Sequence, residues 1–189
     1  MKVSFGIVVL GFLIALPASA APENYAIDTP HSSSNFEVEW LGVNTIPGRF
    51  NKTTGKITLD RAAKTGSIEA EIDTTTIDTG FMRRDELLRT EDYFDTTKFP
   101  TITFRSSNLR FNGDVLSGAD GELTMLGVAR PVRFELTSFK CTTHPVYKRE
   151  LCGAIAKGSI KRTDFGMTRI SRTIGEVIQF SLNIVAYRN

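Results

Sequence analysis

The sequence predicts an all-β fold interrupted by one short helical insertion. Three observations predict it. Apolar and polar residues alternate with period two through much of the chain, as in half-buried antiparallel strands. Turn-forming residues separate these runs. The runs recur about every ten to fifteen residues, a spacing that suits a sandwich or a barrel.

Taken in order, Ser34 to Trp40 places Phe36, Val38 and Trp40 on one face, with Glu37 and Glu39 on the other. Lys56 to Asp60 points Ile57 and Leu59 one way, and Ser67 to Asp73 alternates Ile68, Ala70 and Ile72 with three acids. Thr101 to Arg105 pairs Ile102 with Phe104. Near the C-terminus Ile178, Phe180, Leu182 and Ile184 alternate with Gln179, Ser181 and Asn183. The expected breaks are Thr54-Gly55, Thr65-Gly66, Asn112-Gly113-Asp114 and Ile174-Gly175. Asn112-Gly113 tolerates the positive φ of a tight hairpin. Phe81 to Arg89 reads instead as a helix, with Asp78 or Thr79 as N-cap. Thr90 is expected to cap a second short helix through Phe94, with Glu91 and Asp92 in its first turn, before Pro100 stops it. No internal repeat or linker appears, so the strands and helices form one domain.

That domain covers residues 21–189. Lys2, the apolar run Val3 to Leu16 and the Ala18-Ser19-Ala20 motif have the order of a secretory signal peptide cleaved after Ala20. The apolar run is shorter than the ~20 residues of a bilayer-spanning helix, and no later run reaches that length. The expected location is the periplasm, an oxidising compartment. Cys141 and Cys152, the only two cysteines, then read as a disulfide; a redox-active pair is disfavoured because they do not form Cys-x-x-Cys.

Composition narrows the function. A formal charge of +2 lacks the cationic excess of a nucleic-acid binder. Two His and two Cys offer no metal-ligand spacing, and no Gly-rich phosphate loop or Gly-x-Ser-x-Gly elbow occurs, so no cofactor, metal or catalytic residue is implied. Near-neutrality conceals a gradient. Residues 21–129 carry eleven Lys and Arg against seventeen acids, and residues 130–172 carry ten against three. The basic segment could face an anionic partner or be neutralised across the sheet. His31, Arg83, Arg84, Asp85, Arg89, Arg162 and Asp164 are candidates for a polar rim. They serve equally well as salt-bridged corners or as a grip on an anionic or polar head group. The eleven Phe of residues 21–189 suit either a packed core or a long apolar cavity.

Several motifs, in order, resemble the YceI-like family of secreted, lipocalin-like, polyisoprenoid-binding proteins. They are Tyr25 to Ser32, Gly48-Arg49-Phe50, Ile77-Asp78-Thr79-Gly80, Arg84-Asp85, Leu88 to Asp95, Lys98 to Ser106, Gly121 to Val128 and Arg162 to Met167. The resemblance implies an extended lipocalin-like antiparallel β-barrel holding an isoprenoid or other long-chain lipid. Its lining would comprise Phe36, Val38, Trp40, Phe50, Ile57, Leu59, Phe94, Phe104, Leu123, Phe134, Phe165 and Phe180, around one continuous cavity. The two-Cys segment is similar to a disulfide-hairpin subgroup. One departure stands out: the family often has His immediately before Leu88, and this chain has Leu87.

The leading functional expectation is therefore a non-catalytic carrier or scavenger of an isoprenoid, quinone-like or fatty-acyl lipid. A partner-binding adaptor or inhibitor of a membrane redox protein is the alternative, followed by an enzyme on a lipid-like substrate using His31. Nothing in the sequence excludes a homodimer.

Overall fold

The computed structural model describes residues 21–169 and 173–189; the expected signal segment, residues 1–20, lies outside them. The strands are β1 (Glu23–Ile27), β2 (Ser33–Trp40), β3 (Asn44–Phe50), β4 (Thr53–Asp60), β5 (Thr65–Asp73) and β6 (Ile77–Asp78). The helix α1 (Met82–Leu88) follows, and then β7 (Thr101–Asn112), β8 (Val115–Met125), β9 (Val128–Thr143), β10 (Glu150–Lys161) and β11 (Ile174–Arg188).

All pairings are antiparallel, in the order β1-β4-β5-β7-β8-β9-β10-β11, and β1 pairs β11 to close a ring of eight. The remaining strands extend three of the staves. Tyr25 pairs Ile57, and further up the same hairpin Ser34 pairs Phe50. Thus β1 with β2, β3 with β4, and β5 with β6 each act as one long stave broken midway. The first break is a 3-10 turn at Thr29–His31, where Pro30 cannot donate to the sheet. The β2–β3 and β8–β9 turns, the α1 insertion and the β10–β11 connection gather at one end. The β4–β5, β7–β8 and β9–β10 turns gather at the other, beside the disulfide.

Inward alternation is kept by irregularities. In β9 a bulge lets Leu136 and Phe139 both pack inward. In β10, Ala154, Ala156 and Gly158 follow Cys152 on the inner face. A Cβ on Gly158 would stand 2.8 Å from the Phe134 ring, so the missing side chain makes room for that phenylalanine. The expected hairpin forms one residue later, over Gly113-Asp114, with Gly113 at φ 60° and Asn112 paired with Val115 as the last residue of β7. Trp40 to Val43 makes a tight turn closed by the Val43 N–H to the Trp40 carbonyl at 3.1 Å, with Leu41 at φ 55° and Gly42 at φ 70°.

Several expectations are corrected. Thr54-Gly55 lies within β4, where Gly55 lets the Glu69 backbone of β5 come close. The Thr65-Gly66 break falls earlier, at 61–64, and Ile174-Gly175 opens β11 at a register shift. The helix begins at Met82 after Phe81, and neither Asp78 nor Thr79 caps it. Instead Asp85 reaches back from inside the helix, and its Oδ1 accepts the Thr79 N–H at 2.8 Å and the Thr79 hydroxyl at 2.5 Å. Thr90 to Phe94 forms successive turns rather than a second helix: the Asp95 N–H returns to the Thr90 carbonyl, and the Phe94 N–H to that of Leu88. Ion pairs join the two segments in both directions: Arg133 with Asp120 (2.8 Å) sets a cation of the basic segment against an acid of the other, whereas Arg61 with Glu150 (2.5 Å) and Arg110 with Glu135 (2.9 Å) run the opposite way and do not close the gradient.

Candidate functional site: two apolar chambers

Among the described residues, the inner faces do not enclose one continuous cavity. They enclose two chambers of ≈ 120 Å³ each, stacked along the barrel. The lower chamber, toward the disulfide end, is walled by the expected Ile57, Leu59, Phe104, Leu123, Phe134 and Phe180. Tyr25, Ile72, Leu136, Phe139, Leu182 and Ala186 complete much of its surface. The upper chamber, toward α1, takes Phe36, Val38 and Phe94 from the expected set and adds Ile46, Leu87, Leu88, Tyr93 and Met167. Leu87 therefore puts an apolar side chain where the family often has His.

An aromatic septum divides them. Phe50, 1% exposed, stands 5.4 Å from both Phe36 and Phe94, edge-on to the latter. It lines neither chamber, because its ring is packed between Phe36 of β2 and Phe94 of the segment after α1. Phe165 is also 1% exposed, and is packed into a 3-10 turn away from both chambers. Trp40 lies outside as well, 41% exposed. Its alternation with Phe36 and Val38 is real, but the β2–β3 hairpin runs past the point where an opposite wall could cover it.

The candidate rim residues are used structurally. The Arg84 guanidinium donates to the Thr79 hydroxyl (2.8 Å) and carbonyl (2.7 Å), and Arg89 donates to the carbonyls of Thr75 and Ile77. Arg162, 6% exposed, donates to the carbonyls of Gly175, Met167 and Arg169. These bonds staple the insertion and the β10–β11 connection to the barrel, and Arg84 and Arg162, with Arg169, also form part of the upper chamber's wall. Asp164 sits in the 3-10 turn with Phe165 and lines neither chamber. His31 is not on the rim. It lies at the break between β1 and β2, with its side chain 71% exposed and its Nδ1 2.5 Å from Asp28. The chamber walls carry no His and no carboxylate among the described residues.

The lower chamber ends on a polar floor that sequence reading does not anticipate. The Tyr25 hydroxyl donates to Glu23 (2.8 Å) and accepts from Arg61 (2.8 Å), which also bonds Glu150. Arg188 lies 3.2 Å from Glu23 and 3.4 Å from Glu150. Burial, followed by the Glu23 hydrogen bond, raises the Tyr25 pKa far above the ordinary phenol value. Burial opposes the Glu150 charge, but the hydrogen bond and charge of Arg61 outweigh it and hold that carboxyl below its usual range. Cys141 and Cys152 face each other directly across β9 and β10 and form a disulfide. The Arg61 Nη2 is 3.3 Å from one sulfur and 3.5 Å from the other. With Glu150 they form the one metal-compatible group among the described residues, and the disulfide occupies both sulfurs. A separate groove of ≈ 620 Å³ lies on the outer wall along Lys157, Ser181, Asn35 and Arg49.

A closed eight-stave antiparallel barrel around apolar chambers defines a lipocalin-like barrel. The chain belongs to the YceI-like family, whose domain matches residues 25–186. It is 33% identical over 168 residues to a UPF0312 protein of Vibrio campbellii, covering 87% of this chain and 88% of that one. A UPF0312 protein of Shewanella denitrificans is 36% identical over 126 residues, with 65% and 66% covered. Among solved structures, BcnA of Burkholderia cenocepacia superposes with a TM-score of 0.72 at 22% identity, over 84% of this chain and 98% of that one. A polyisoprenoid binding domain from Saccharophagus degradans, implicated in plant cell wall breakdown, gives 0.64 at 16% identity, over 87% and 98%.

Proposed function

We propose that this protein binds and carries, or scavenges, a long-chain amphipathic lipid, with the apolar tail held in the barrel and no chemistry done on it. The observation that carries this reading is the pair of stacked chambers with almost wholly apolar walls. The polyisoprenoid-binding structural neighbour supports it. At 10–15 Å³ per water-sized site, each chamber has room for about ten such sites, or about ten methylenes. At about 0.8 kcal/mol per buried methylene, one filled chamber offers about 8 kcal/mol before ordering costs, which sets micromolar as the tightest binding one chamber alone can give. Little polar readout is needed, so the protein should accept isoprenoid, quinone-like and fatty-acyl tails.

The compartment in this reading is the periplasm, supported by the Lys2 to Ala20 segment. Cell fractionation with N-terminal sequencing tests it, with Ala21 expected as the first residue. The lipid reading is tested by gentle extraction followed by lipid mass spectrometry, and by uptake of a fluorescent polyprenol. Co-purifying lipid or saturable uptake is expected. Protein that carries no lipid and takes up neither polyprenol nor quinone overturns the reading.

A further inference from the structure

Building on the lipid-carrier reading, we propose that Arg162 receives the lipid's head group inside the upper chamber, and that this head group is an oxyanion, a carboxylate or a phosphate. Arg162 is 6% exposed and forms part of that chamber's wall. A guanidinium offers five N–H donors in a rigid fork. In Arg162 the one on Nε goes to the Gly175 carbonyl at 3.2 Å, and the two on Nη1 go to the carbonyls of Met167 and Arg169 at 2.9 Å each. The two on Nη2 meet no acceptor among the described residues, and no carboxylate of those residues stands within ion-pair distance of the group. The neighbouring charges are engaged elsewhere. Arg169 pairs with Asp92, the Arg84 Nε donates to the Thr79 hydroxyl that itself donates to Asp85, and Glu176 accepts the Thr163 hydroxyl at 2.7 Å. At the opposite end of the barrel, Arg61 and Arg188 are each paired with both Glu23 and Glu150. Arg162 is thus a buried cation whose counter-ion the described residues do not supply.

Carbonyl dipoles soften the cost of burying a charge but do not cancel it, and an ion left alone in an apolar wall is expensive. Arginine keeps its charge in such a place, so the imbalance is met by an anion rather than by loss of a proton. The register of the strands gives the charge a direction. Lys161 pairs with Val177, which sets Arg162 at the α1 end of the barrel, whereas Phe36, at the septum, pairs with Phe180. A head group held on Arg162 therefore leaves its tail running past Ile178 toward Phe36, with both side chains in the same chamber wall. Apolar walls alone would reject an ionised head group. Two free N–H groups on a buried cation reverse that preference, because charge-assisted hydrogen bonds to an oxyanion are roughly twice as strong as neutral ones.

Calorimetric titration with decanoate, decyl phosphate, decanol and methyl decanoate, at about pH 8 where both acids are ionised, tests this. Their tails match one chamber, so only the head group varies. Decanoate and decyl phosphate are each expected to bind about tenfold or more tighter than the two neutral ligands, and the tighter of the two identifies the head group. Arg162→Met should cost both anions about tenfold or more and leave decanol unchanged. Because Arg162 also staples the β10–β11 connection, a second measurement uses the parent protein alone: carbon NMR of carboxyl-labelled decanoate. A carboxylate on the guanidinium should titrate at lower pH when bound than when free, whereas burial without a cation would raise it. Equal affinity for all four ligands, tighter binding of the neutral pair, no binding of either anion, a bound carboxyl that titrates above the free acid, or an anion preference that survives Arg162→Met overturns the proposal. Any of these with polyprenol still taken up leaves the carrier reading standing; failure of all four ligands and of polyprenol removes both.

Discussion

Replacing Phe50 by Ala should weaken the fold and lengthen the tail that the barrel accepts. The ring is 1% exposed and touches Phe36 and Phe94 at 5.4 Å each. Removing a fully buried Phe costs about 3–5 kcal/mol, the lower end applying if Phe36 and Phe94 close over the gap. In the parent protein a tail that spans both chambers must first break these two aromatic contacts, worth about 0.5–1.5 kcal/mol each. The variant has already lost them. Tails of about ten carbons, which fit one chamber, should bind with little change. Tails of about twenty carbons should gain roughly 1–3 kcal/mol, or about five- to 150-fold in Kd. Urea unfolding measures the first effect, and competition by a chain-length series of fatty acids and prenols measures the second. Phe50→Leu, which keeps most of the packing, guards against a variant that fails to fold. If Phe50→Ala loses the expected stability but shows the parent's chain-length profile, the septum does not separate the chambers and the two-compartment description is wrong.

Three further outcomes follow from the floor and the insertion. Replacing Cys141 and Cys152 together by Ser should lower unfolding stability by about 3 kcal/mol, the chain-entropy value for so short a loop, in non-reducing urea titrations. Glu150 is held below the ordinary carboxylate range, so its stabilisation is complete above the unfolded value of about 4.3 and fades as pH falls through the lower folded value. The stability gap between the parent and Glu150→Gln should accordingly be constant above about pH 5 and shrink below about pH 4; a gap that does not narrow in acid would contradict the Arg61 pairing. Asp85→Ala strands the Thr79 N–H and should cost about 1.5–3 kcal/mol, with amide exchange rising first across Met82–Leu88.

Strands with large alternating side chains were legible in the sequence, and those built from small ones were not. The alternation of Ile178, Phe180, Leu182 and Ile184 locates β11, whereas Ala154, Ala156 and Gly158 in β10 give little apolar contrast while lining the same barrel. Gly55 reads as a turn because glycine favours turns, but there it permits a close backbone approach. Thr90-Glu91-Asp92 carries the signature of a helix start, and the same residues serve a series of tight turns. For the site, alternation indicates which way Phe36, Phe104 or Phe180 points. It says nothing about what each meets across the barrel, so it could not distinguish a continuous cavity from a divided one. Of the groups around Tyr25 only Glu23 is near in sequence; the β1–β4 pairing brings Arg61, and the closure of β1 on β11 brings Arg188 and, through β10, Glu150.

That closure also bears on how the protein is made. The ring is sealed by the pairing of Tyr25 with Arg188 and of Ile27 with Ala186, between the first and last staves to leave the ribosome. Until the final fifteen-residue strand emerges, β10 and β1 both present bare edges. Open edges recruit other strands, and pairings this distant in sequence form slowly. The nascent chain therefore spends its whole synthesis unable to complete its barrel. A stop or frameshift anywhere before β11 should yield an aggregation-prone open sheet rather than a smaller working barrel.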